Sequence, residues 1–131
     1  MKDPISYNPH TTADEFLLEM LSLGKPIECS LVGVFDEQGR GSRRDIPLPL
    51  HRDGDYSTAI AEKHSIDYVG LYCIRDGGNA CTTVINGEDK YQFFLQQGQS
   101  IIFDNNECLH GREGQVGDRV LLRVWIEKEV K

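Results

Sequence analysis

Ile66-Asp67-Tyr68-Val69-Gly70-Leu71-Tyr72-Cys73-Ile74, then Asp76-Gly77-Gly78-Asn79, Cys81-Thr82-Thr83-Val84-Ile85 and Asn86-Gly87, is the stretch whose reading decides the fold. The first segment is dense in aromatic and β-branched residues, which suit a pleated, half-buried surface. Gly77-Gly78 and Asn86-Gly87 are turn signals, because Gly and Asn tolerate the backbone conformations that tight turns require. Strands punctuated in this way predict antiparallel β structure. Working outward, the same reading places strands at 30–35, 91–95, 100–103 and 120–126, with a Gly- and charge-rich loop at 36–44.

Helical periodicity is strong in one place, 12–23. Thr12 and Glu15 form a capping box. Phe16, Leu17, Met20, Leu21 and Leu23 follow as an apolar stripe, which Gly24 and Pro26 end. A second, shorter helical segment is expected at 58–64. Many short strands behind one N-terminal helix give a mainly β chain, an antiparallel barrel or jelly roll. The 131 residues form a single expected domain, 1–131, large enough to bury a core without disulfides.

Charge narrows the partners. The net charge is -7 and the pI about 5.0, whereas nucleic-acid binders usually gain affinity by neutralising phosphates. Nucleic acid is therefore disfavoured, and the basic cluster Arg40, Arg43 and Arg44 reads as a solvated loop. No apolar run approaches the roughly 20 residues that span a bilayer, and Met1-Lys2-Asp3-Pro4 lacks a secretory apolar stretch. Cys29, Cys73, Cys81 and Cys108 have no CxxC spacing, so free thiols in a reducing cytoplasm are expected rather than disulfides or a four-cysteine zinc site.

The chemistry-bearing residues lie in Leu50-His51-Arg52-Asp53-Gly54 and, 59 positions after His51, at His110. In extended chain, residues i and i+2 point to one face, so His51 and Asp53 can aim at one ion. Two His and one carboxylate leave coordination positions open, a set that suits non-haem Fe(II). His-x-Asp alone is weak, since a His beside an Asp is more often a surface pair. Arg123 strengthens it. One guanidinium among Val120, Leu121, Leu122, Val124, Trp125 and Ile126 predicts a buried charge that needs a partner. That partner is either an internal carboxylate or the far carboxylate of a dicarboxylic acid, gripped bidentately. Arg119, on the same strand face, is the rival. Trp125 shares that face and reads as core. Asn105 and Asn106 read as shaping the turn before His110, Arg112 as bracing it, and Glu107 as a poorer ligand than Asp53.

The order His51-x-Asp53, Gly77-Gly78, Asn106-x-x-x-His110-Gly111-Arg112, Leu121-Leu122-Arg123-x-Trp125 resembles the iron(II)/2-oxoglutarate dioxygenases. The branch it resembles contains taurine dioxygenase, clavaminate synthase and γ-butyrobetaine hydroxylase, and the likeness covers roughly residues 46–127. The resemblance implies a double-stranded β-helix, Fe(II) held by His51, Asp53 and His110, 2-oxoglutarate anchored on Arg123, and O2 as oxidant. It implies hydroxylation of a substrate, expected to be a small molecule. Ala80 stands where the family often carries a Thr or Ser that contacts the co-substrate, so Thr82 or Thr83 is the expected substitute. The short interval between the two His predicts a small lid, or one completed by the second subunit of a homodimer. Two other readings use the same barrel. A cupin-type metal enzyme usually offers His-x-His, against the His51-x-Asp53 here, and a non-catalytic binding module would lack turnover.

Overall fold

A computed structural model describes residues 3–33, 48–54 and 63–129. In chain order these form β1 (Ile5–Asn8), α1 (Ala13–Leu21), β2 (Lys25–Val32), β3 (Leu48–His51), β4 (Tyr68–Arg75), β5 (Cys81–Asn86), β6 (Asp89–Phe93), β7 (Ser100–Asp104), β8 (Cys108–Glu113) and β9 (Val120–Glu127). The basic cluster at Arg40, Arg43 and Arg44 and most of the expected 58–64 helix lie outside the described residues.

Two antiparallel sheets face each other, with strand orders β1-β7-β4-β9-β2 and β3-β8-β5-β6. From β2 onward each connection between successive strands passes from one sheet to the other, except that β5 and β6 form a hairpin. That winding is a jelly roll, the double-stranded β-helix expected from the sequence, with β1 as an added edge strand. The hairpin register closes with Asn86 opposite Asp89, so the two-residue turn is Gly87-Glu88, with the Asn86 of the expected Asn86-Gly87 signal ending β5.

Alternation assigns each strand's two faces. Val69, Leu71 and Cys73 of β4 pack between the sheets with Ile101, Phe103, Leu121 and Trp125. Tyr68 and Tyr72 point the other way and meet α1 through Phe16 and Met20. Thr12 caps α1, its Oγ1 accepting the Glu15 N–H at 3.2 Å. Gly70 sits under the helix because nothing larger fits: a Cβ there would lie 2.4 Å from Met20 Sδ. With β4 buried on both faces, its sequence reads as a nearly continuous apolar run.

One expected boundary shifts, and two strands appear where the sequence carries no strand signal. The helix ends at Leu21, and the chain is already a strand at Lys25, with Pro26 inside it. Pro is tolerated there because β2 is an edge strand, where one side of the ladder needs no donor. The N-terminal segment is a strand, β1, paired with β7. The segment carrying His110 is also a strand, β8, between β3 and β5. Both are short and polar, and their strand character comes from their partners. All four cysteines are free, with Cys29 exposed and the others buried. Among the described residues no helix is long and apolar enough to cross a membrane.

Candidate metal centre

The β3–β8 ladder sets His51 directly opposite His110. Their rings are 4.4 Å apart, and Phe103 packs against His110 at 4.8 Å. Asp53 lies beyond the end of β3, in a turn. Strand alternation therefore does not by itself bring it to His51, as the i, i+2 reading expected; two other residues do. Asn105 is buried and grips the main chain of Asp53, its Oδ1 accepting the Asp53 N–H at 3.1 Å and its Nδ2 donating to the Asp53 carbonyl at 2.9 Å. Trp125 grips the side chain, its Nε1–H donating to Asp53 Oδ2 at 2.7 Å. That leaves Oδ1 facing both imidazoles, 3.4 Å from His51 Nε2 and 3.3 Å from His110 Nε2.

These distances fit one ion. Three donors about 2.0–2.2 Å from a common centre, roughly at right angles, stand about 3 Å from one another. Ligand atoms of the three residues all lie within 4.8 Å of each other, the one such group of three found among the described residues. His51 Nδ1 is 2.8 Å from the Pro49 carbonyl, a contact that fixes the ring; with a metal bound, the proton would sit on Nδ1 and the Nε2 lone pair would serve as the ligand. Burial on its own would raise the Asp53 pKa. The hydrogen bonds from His110 and His51, the charge of His110 and that of Arg123 outweigh it, and hold the carboxyl well below the usual range. Asp53 is thus an anion at any physiological pH.

A cavity opens from the triad between β2 and β9 on one sheet and β3 and β8 on the other. Thr82, Arg112, Arg119 and Arg123 line it together with His51, Asp53 and His110. Thr83 lies on the opposite face of β5 and lines a separate groove with Pro49 and Lys90. Of the two threonines expected near a co-substrate, only Thr82 reaches the cavity.

The two arginines differ. Arg123 stacks on Trp125, 4.7 Å from the ring centroid, and its Nη2 lies 3.5 Å from Glu28 Oε2 on β2. Arg119 is 3% exposed, its Nε has no hydrogen-bond partner, and its Nη1 makes only a long 3.5 Å bond to the Ala80 carbonyl. No carboxylate neutralises it among the described residues. Its desolvation lowers the guanidinium pKa, and nearby Cys73 and Cys81 act in the opposite direction. The Gly77-Gly78 turn helps to place it: a Cβ on Gly77 would lie 2.4 Å from Arg119 N, and one on Gly78, at φ 57°, would lie 2.1 Å from the Gln115 carbonyl. The sequence signal for this turn was sound, but its use is to let the 115–119 loop pack close.

Sequence reasoning missed the roles of Asn105 and Trp125. By parity Trp125 shares the Arg123 face, and only the fold puts its N–H on the metal-site carboxylate. Glu107 stays on the surface of the turn, its N–H bonded to Asp104 Oδ1.

No family model and no curated protein sequence matches the chain. Among solved structures it is similar to an oxidoreductase of the 2OG-Fe(II) oxygenase family from Burkholderia pseudomallei, at 13% identity and TM-score 0.51, over 65% of this chain and 39% of that one. It is also similar to a Pseudomonas putida prolyl-4-hydroxylase, at 13% identity and TM-score 0.55, over 88% of this chain and 63% of that one. At such identity the likeness is one of fold. This chain spans less than two thirds of the length of either structure. Neither carries a name from the taurine dioxygenase branch, so that branch rests on the motif order alone.

Proposed function

We propose that the protein is an Fe(II)- and 2-oxoglutarate-dependent oxygenase that hydroxylates a small molecule. The observation carrying this reading is the convergence of His51 Nε2, Asp53 Oδ1 and His110 Nε2 beside a cavity floored by an unneutralised arginine. Iron held by His51, Asp53 and His110 would supply the redox chemistry by which O2 and 2-oxoglutarate give succinate, CO2 and one oxygen atom inserted into a substrate C–H bond. The chain's own residues hold and orient. His51, Asp53 and His110 offer one face of ligands, and Trp125 and Asn105 keep the carboxylate aimed.

In this proposal the far carboxylate of 2-oxoglutarate goes to Arg119, with the Thr82 hydroxyl beside it, rather than to Arg123 as the sequence reading preferred. The reason is the one first applied to Arg123: a buried cation without an anion is unfavourable until a carboxylate meets it. Arg123 already has Glu28, and Arg119 has none.

The test is a titration of Fe(II), under anaerobic conditions, followed by the emission of Trp125, the only tryptophan. A paramagnetic ion on Asp53 should quench it, and Asp53→Ala should abolish the quenching. Metal-loaded protein should bind 2-oxoglutarate and release succinate slowly in air. Arg119→Ala should remove that binding while metal quenching persists. Metal binding without any 2-oxoglutarate binding would turn the assignment to the cupin-type or non-catalytic reading.

A further inference from the structure

Beside the metal centre, on the edge strand β2, lies a polar cluster that co-substrate binding leaves unused. Ser30 stands opposite Arg123 and Glu28 opposite Trp125 in the β2–β9 register, so all four face the interior. Glu28 Oε2, Ser30 Oγ and Arg123 Nε are each buried without a hydrogen-bond partner. The Arg123–Glu28 contact, at 3.5 Å, is longer than the about 2.7–2.9 Å of a charge-assisted hydrogen bond. A carboxylate oxygen held only by this long ion pair, one hydroxyl and one guanidinium N–H thus stand next to each other without hydrogen bonds. Such groups are normally satisfied, and a cluster of exceptions calls for a ligand or water to complete it.

The charges specify the ligand. Arg123 and Glu28 sum to zero, so a simple anion or cation entering between them would meet one friendly and one hostile group. A ligand that carries both charges, or both a donor and an acceptor, replaces one loose pair with two short ones at no net cost in charge. The Trp125 ring beneath Arg123 adds an apolar wall and links the cluster to Asp53 through its N–H.

We infer that Glu28, Ser30 and Arg123 form the primary-substrate subsite and that it takes a small zwitterion of the α-amino-acid type, carboxylate on Arg123 and Ser30, ammonium on Glu28. This rests on the oxygenase proposal, and it names that site's substrate class. The side chain of the bound amino acid then projects toward the metal triad, where hydroxylation occurs.

The test uses intact protein loaded with Zn(II), which supports binding without turnover, both with and without 2-oxoglutarate. The twenty protein L-amino acids are titrated calorimetrically, and the best binder is compared with its desamino acid and its decarboxylated amine. The zwitterion should bind at least tenfold more tightly than either analogue. Glu28→Gln should collapse the preference over the desamino acid, and Arg123→Gln the preference over the amine. Because Glu28 lies on an edge strand, its variant keeps the test open if Arg123→Gln fails to fold. Titration of 2-oxoglutarate on Glu28→Gln, whose side chain is not among those lining the co-substrate cavity, should change by less than twofold. If wild type binds 2-oxoglutarate and no amino acid binds, or the analogues bind equally well, or Glu28→Gln leaves the preference intact, this inference is overturned and the oxygenase proposal survives. If 2-oxoglutarate itself does not bind, the oxygenase proposal fails, whatever the amino acids do.

Discussion

Replacing Trp125 with Phe would remove a single donor from the metal centre while keeping an aromatic face under Arg123. The indole N–H donates to Asp53 Oδ2 at 2.7 Å, in a site where Asp53 is 9% and Trp125 6% exposed. A hydrogen bond to a charged group in such a place contributes about 1.5–3 kcal/mol. Loss of the larger ring adds on the order of 1 kcal/mol for the space left behind. Metal-free Trp125→Phe should therefore unfold at lower urea, with a loss of about 2.5–4 kcal/mol. A double-mutant cycle with Asp53→Ala separates the two contributions. The coupling should be about 1.5–3 kcal/mol, and the remainder is the ring. Metal affinity has a different sensitivity, because the bond exists before and after metal binding. What the variant loses there is the aim of Oδ1, and groups that orient ligands in this way change affinity by about 10- to 100-fold. Since the variant has no tryptophan, unfolding is followed by far-UV circular dichroism and Co(II) binding by calorimetry. A coupling near zero, together with wild-type Co(II) affinity, would refute the claim that the indole positions the ligand.

Asn105→Ala should also weaken Co(II) binding by about 10- to 100-fold. It frees the Asp53 and Ile66 carbonyls, so calorimetry should show it while His51 and His110 stay in place. In native protein one thiol, Cys29, should react quickly with a chromogenic disulfide, and all four should react after unfolding. Burial raises the Cys73 and Cys108 thiols to about 11, with Asp76 adding to the first and Asp104 and Glu107 to the second. Asp67 couples stability to pH. Its burial would raise its pKa, but the Lys128 N–H, Asn106 and Ser65 hydrogen bonds hold it below the usual carboxylate range. A folded pKa below the unfolded one contributes stability that is complete above the unfolded value and lost as pH falls through the folded one. Urea midpoints of Asp67→Asn should thus drop at pH 7 and fall less steeply than wild type below pH 4.

Some of this protein was legible from the chain alone, and the reason is local. The β4–β5–β6 region declared itself through β-branched and aromatic runs cut by Gly77-Gly78 and Asn86-Gly87, and the capping box at Thr12 through a four-residue pattern. His51, Asp53 and His110 were selected by chemistry, because few residue types can hold an open metal site. What the chain could not disclose is whatever depends on which strands become neighbours. The polar strands β1 and β8 exist because β7, β3 and β5 pair with them. Trp125 looked like core until β9 was laid across the cavity from Asp53, 72 positions away. Asn105 looked like a turn residue until its amide met the Asp53 main chain. The contrast between Arg119 and Arg123 is of the same kind: both sit on one face by parity, and only the edge strand β2, carrying Glu28, tells which of them is already paired. Local propensity and ligand chemistry act over a few residues, whereas the aim of a carboxylate and the pairing of a buried charge are set by side chains that meet only when the sheets close.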